Sequence, residues 1–159
     1  MQQYSRQKSV LVRPSDSDEV IAESTLSDSV HEIKVEIAFS LSRSEIKAVK
    51  AAFIRYPWNI CPQAARVMVR LVGLSLRPGM GSTIRELVGK NDGCTNLADL
   101  TMEALAGIIQ FRLRMKYYSL NPNERKKASH DDLKGNCLAF SCGDTLKVPT
   151  DHWVSEKWY

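Results

Sequence analysis

No stretch of this chain approaches the run of roughly 20 apolar residues that a membrane-spanning helix needs, which predicts no bilayer span. Close cysteine pairs, the mark of a structural zinc site, are missing, and this argues against zinc. A phosphate-cradling glycine loop, a nucleophile elbow and a recognisable catalytic triad are missing too, so nothing signals nucleotide-dependent or hydrolytic chemistry. Internal repeats and low-complexity tracts are absent, which excludes a solenoid or a tethering linker. The formal charge of +4 is too small to imply a nucleic-acid partner. The first residues, Met1-Gln2-Gln3-Tyr4-Ser5-Arg6, place no apolar stretch after a charge. That predicts no signal peptide and a cytoplasmic protein whose four cysteines are thiols.

What is present is enough for one domain with a real core across 159 residues. Residues 4–13 alternate loosely up to Pro14, a strand followed by turn chemistry at Ser15-Asp16-Ser17-Asp18. Glu19 to Leu26 pairs back as a hairpin, and Ser27-Asp28-Ser29 turns again. Ile33, Val35, Ile37 and Phe39 then alternate with Glu32, Lys34, Glu36 and Ala38, a strand with one wet face. Residues 46–55 fit either a helix or a returning strand; the strand is preferred.

From Cys61 the period becomes helical. Pro62 suits a first helical position, and Ala65, Met68, Val69 and Val72 form the expected apolar stripe up to Gly73, with Arg66 and Arg70 away from it. Thr83 and Glu86 fit a capping box for a short helix ending at Gly89. After a turn at Asn91-Asp92-Gly93, a long helix places Leu97, Thr101, Ala104, Ile108, Phe111, Met115 and Tyr118 on one face, and Asn121-Pro122 stops it. Glu124 to Lys127 reads as a charged surface segment. Asn136–Ser141 and Thr145–Val148 read as a hairpin around Gly143-Asp144. The aromatic tail, His152 to Tyr159, is expected to lie on the domain or on a neighbouring subunit.

The chemistry-bearing residues are few. Cys61 and Cys94 each stand where a helix begins, and unpaired N–H groups there favour the thiolate. Two such thiolates would suit a transition metal, an iron–sulfur cluster or a thiol reaction; equally, each cysteine fills a tight corner as a small buried residue. Asp28 and His31, three apart before the strongest strand, would serve as further ligands or an acid–base pair; otherwise Asp28 holds a turn. Cys137 and Cys142, at odd spacing on the expected hairpin, face opposite ways. The basic set Arg112, Arg114, Lys116, Arg125, Lys126 and Lys127 reads as a solvated face, not a nucleic-acid site.

The order Arg6, Leu26-Ser27-Asp28, His31, Pro57, Cys61-Pro62, Gly73, Gly93-Cys94-Thr95, Leu97 and Gln110 resembles a bacterial family without assigned activity, DUF2889, over about residues 4–148. The chain departs from that pattern at Asn96 and Tyr4, where the family carries histidine. The outline is similar, more distantly, to iron–sulfur scaffolds of the SufE and NifU type. By that resemblance Cys61 and Cys94 match two of three scaffold cysteines, and the middle one has no counterpart.

These readings predict an α+β single domain, residues 1–159. In it a small antiparallel sheet packs against three helices (1–118), and a C-terminal hairpin and aromatic tail follow (119–159). Three functions stand open. One is a metal- or iron–sulfur-handling accessory protein using Cys61 and Cys94, helped by Asp28 or His31. Another is a non-catalytic module that binds a protein partner or a second copy, with structural cysteines. The last is a thiol-dependent enzyme.

Overall fold

The alternating first third of the chain folds into a four-stranded antiparallel meander in the computed structural model, which describes residues 3–16 and 18–141. Its strands are β1 (Arg6–Pro14), β2 (Glu19–Asp28), β3 (Glu32–Ser40) and β4 (Glu45–Arg55), each paired with the next in sequence. The ambiguous stretch 46–55 is therefore a strand. Two register shifts against β3 let it hold Ile46, Val49, Ala51 and Phe53 toward the apolar side.

Alternation decides the two faces. Val20, Ala22, Ser24, Leu26 and Asp28 of β2 and Ile33, Val35, Ile37 and Phe39 of β3 are buried beneath the helices. The opposite face is wet and laced with cross-strand ion pairs, among them Lys34–Glu23 and Arg55–Glu32. Segment 73–76 covers the start of β4: the Ile46 N–H donates to the Leu74 carbonyl and the Leu76 N–H to that of Ser44. That masks part of an edge which would otherwise present unpaired backbone groups.

Beyond the sheet come a 3-10 helix (Cys61–Leu71), α1 (Met80–Val88), α2 (Thr95–Tyr118), α3 (Pro122–Leu133) and the short α4 (Leu138–Ser141). The first of these corrects the expected stripe. The side chains driven inward are Ala64, Val67, Met68 and Leu71, while Val69 and Val72 are exposed. With three residues per turn, positions three apart stack in rows. The row Ile60, Gln63, Arg66, Val69, Val72 faces outward as a unit. The expected capping box at Thr83 and Glu86 does not form: α1 starts earlier, after Gly79 at φ 79°, with no side-chain cap.

Helix α2 buries Leu97, Ala98, Leu100, Thr101, Ala104, Leu105 and Ile108. It lies close against β1 because Gly107 has no side chain; a Cβ there would stand 2.8 Å from a methyl of Val10 and 3.0 Å from one of Val12. The expected stripe holds as far as Ile108, with Phe111 half-buried, whereas Met115 and Tyr118 are exposed.

The chain divides into two compact units, the first ending at Arg112 and the second beginning at Leu113. In the second, Asn121 caps α3 with a complete capping box to Glu124. Arg125 donates to the carbonyls of Tyr117, Tyr118 and Leu120, which closes the end of α2. The charged segment 124–127 is thus helical. The expected strand 136–141 is instead a turn followed by α4, where Ser141 bonds back to the Cys137 carbonyl. The expected strand 145–148, Cys142 and the aromatic tail lie outside the described residues. No helix of the described residues is long and apolar enough to cross a membrane.

Candidate functional site

In a meander, the start of β1, the end of β2, the start of β3 and the end of β4 meet at one end of the sheet. Asp28 sits there as the last residue of β2 and holds the turn into β3. Its Oδ1 accepts from the backbone N–H of Val30 (2.8 Å) and of His31 (2.7 Å), an arrangement suited to the short Asp side chain. Across the ladder Arg6 is the register partner of Asp28. Its Nη2 lies 2.8 Å and its Nε 2.9 Å from Asp28 Oδ2. The Tyr4 hydroxyl donates to the same oxygen at 3.1 Å and accepts from Arg6 Nε at 2.8 Å. Arg6 Nη1 reaches Asn96 Oδ1, in the first turn of α2, at 3.4 Å. His31 Nδ1 stands 3.3 Å from Asp28 Oδ1.

Electrostatics make Asp28 the centre of this cluster. Its side chain is 1 % exposed. Burial alone would push its pKa up; the two backbone N–H groups, the Tyr4 hydroxyl and the Arg6 guanidinium outweigh that and hold it well below the usual carboxylate range. Burial acts to lower the Arg6 pKa, but the bonds to Tyr4 and Asp28 leave it raised. A fixed negative charge therefore orients three side chains whose outer faces stay accessible. No described residue hydrogen-bonds to the His31 Nε2.

Of the four site residues expected from sequence, the structure brings Asp28 and His31 together. Asp28 holds the turn, as one of its two readings expected, and its Oδ1 also stands 3.3 Å from His31 Nδ1. Cys94 is half-buried against the core and its carbonyl accepts the Ala98 N–H, so it stands as the cap residue of α2. Cys61 is half-buried at the start of the 3-10 helix, its N–H bonded to the Trp58 carbonyl. Among the described residues no group of three or more His, Cys, Asp or Glu side chains could hold a metal ion. Gly93 has a steric reason to be glycine: a Cβ there would run into the Val88 carbonyl, which accepts the Cys94 N–H at 2.8 Å.

Sequence reasoning missed Tyr4 and Asn96 as partners of Arg6. The signal was available. Once the turn is placed at Ser15–Asp18, hairpin register sets Arg6 opposite Asp28. Also missed was the apolar rim at this end of the sheet. Tyr4 and Val30 are exposed beside the cluster. The segment leaving β4 presents Tyr56, Trp58 (71 % exposed) and Ile60 (62 %).

Of the expected basic set, Arg112 donates to Ser44, Lys116 pairs with Asp132 and Arg125 caps α2, so these three have internal roles. The Tyr117 hydroxyl also bonds Asp132, and burial beside that carboxylate pushes its pKa up to about 12.

A protein-family model described as "Protein of unknown function (DUF2889)" matches residues 12–110, from late β1 into α2. No curated protein and no solved structure matches the chain.

Proposed function

The chain belongs to the DUF2889 family, and on that premise we propose that it is a non-catalytic interaction module that binds a protein partner at the end of the sheet carrying Asp28. The observation that carries this reading is the exposure of Tyr4 and Val30 at an ordered Arg6–Asp28–His31 cluster, and of Tyr56, Trp58 and Ile60 in the segment that leaves β4 at the same end of the sheet. Aromatic residues and arginine dominate interface energetics, because they bury much surface around a few directed polar bonds. The buried carboxylate presents Arg6, Tyr4 and His31 in fixed positions, which lowers the ordering that a partner must impose.

The test uses the full chain. A partner recovered in stoichiometric amounts is expected to lose at least about tenfold in affinity to the Tyr4→Ala, Trp58→Ala double variant. It should bind a Cys61→Ala, Cys94→Ala variant normally. Stoichiometric metal or sulfide in freshly purified, anaerobically handled protein, together with loss of partner binding in the cysteine variant, would replace this reading. A metal- or iron–sulfur-handling role for Cys61 and Cys94, of the SufE and NifU kind, would then stand in its place.

A further inference from the structure

The outward row of the 3-10 helix has a composition that a purely solvated face does not need. Ile60 stands at one end, Val69 and Val72 at the other, all three exposed, with Gln63 and Arg66 between them and Trp58 just before. Arg66 makes no hydrogen bond or ion pair among the described residues. Asp92, which lies within reach of its field, is instead bonded to Arg70. The row is thus two apolar patches flanking one guanidinium that has no hydrogen-bond or ion-pair partner among the described residues.

We infer that this row is the docking face for an amphipathic, acidic α-helix of the partner, with a carboxylate seated on Arg66; the inference rests on the interaction reading above and extends it. Charge chooses this occupant over a second copy of the chain. A symmetric antiparallel pairing of the row would set Arg66 against its own counterpart, and like charges face to face are unfavourable. Geometry sets the partner's pattern. At about 2 Å rise per residue the row spans about 24 Å from Ile60 to Val72, with Arg66 midway. An α-helix rising about 1.5 Å per residue covers that span in about 16 residues. To stay on one helix face its acidic residue therefore falls about seven positions after the anchor on Ile60 and Trp58, and further anchors fall about four and eight positions after the acid, on Val69 and Val72.

The experiment is selection from an unbiased display library of helical peptides against the full chain, followed by affinity measurements on the enriched sequences. The expected sequences carry a central Asp or Glu flanked by large apolar residues. Arg66→Glu and Val69→Ser are each expected to weaken them about tenfold or more. A peptide with Lys in place of the central acid should recover affinity for Arg66→Glu. Both variants should keep the wild-type circular dichroism spectrum, since neither side chain is buried. Absence of enrichment, or enriched peptides without the central acid or indifferent to both variants, would overturn the proposal. Peptides that instead lose affinity to Tyr4→Ala and His31→Ala would leave the interaction reading standing and remove the row. A dimer in sedimentation that Val69→Ser dissociates would assign the row to a second copy. Binding to anionic phospholipid vesicles lost in the same variants would assign it to a lipid surface. Either result ends the proposal.

Discussion

Replacing Asp28 tests the centre of the molecule most directly. Its two oxygens accept from the N–H groups of Val30 and His31, from the Tyr4 hydroxyl and from Arg6. In Asp28→Asn the amide oxygen still serves the two backbone donors, but an NH2 group then faces Arg6 and Tyr4, both donors. Loss of a hydrogen bond to a charged group costs about 1.5–3 kcal/mol. Arg6 is partly exposed and can turn to water, which keeps the loss toward the lower end of that range. Asp28→Ala also leaves the turn N–H groups without their acceptor, so about 3 kcal/mol is expected. For a chain of this length that lowers Tm by about 6–12 °C.

The pH dependence has a definite sign. Because the folded pKa is depressed, the Asp28 contribution is complete above the unfolded carboxylate value, about 3.9. It is lost as pH falls from there through the folded value. Urea unfolding of wild type and Asp28→Asn, followed by circular dichroism, should therefore show a constant difference from pH 7 to about pH 5 that narrows below about pH 4. A difference below about 0.5 kcal/mol at pH 7, or one that does not change in acid, would refute the assignment of Asp28 as an ionised, bonded carboxylate.

Gly93→Ala is expected to destabilise by about 1–3 kcal/mol, since the new methyl meets the Val88 carbonyl; a denaturant midpoint equal to wild type would contradict the packing. Gly107→Ala gains about 1 kcal/mol of helix propensity but presses on Val10 and Val12, so a net loss is expected. Val10→Ala in the same background should recover at least about 0.5 kcal/mol beyond additivity; purely additive losses would dismiss the close approach. Arg125→Lys keeps the charge but cannot fork across the carbonyls of Tyr117 and Leu120, and faster amide exchange in the last turn of α2 should follow. The Cys61→Ala, Cys94→Ala double variant should melt cooperatively and lose no more than about 2 kcal/mol, whereas failure to fold would make the thiols essential to the core.

Strand periodicity was legible in β3, where burial on one face imposes alternation, and ambiguous in β4, where two register shifts break it. Ile33, Val35, Ile37 and Phe39 announce β3, and all four are buried. Helix α2 was legible for the same reason as far as Ile108. The start of α1 was not, because Gly79 enters the helix through a left-handed conformation rather than through a side-chain cap. The capping box at Asn121 and Glu124 was written in the sequence, but it lay hidden behind a run of charge. The 3-10 pitch of residues 61–71 left no mark on hydrophobicity alone. It turned Val69 and Val72 outward.

The site followed the same division. Local sequence determined that Asp28 would hold a turn and stand three residues before His31, because a short polar side chain bonds to backbone within its own reach. It also determined an α+β arrangement, since the hydrophobic period changes from two to a helical repeat after β4. Only the tertiary structure decided that Asn96 would reach the Arg6 guanidinium that pairs with that carboxylate. The landing point of a distant helix sets that contact, and it is not encoded in any one segment.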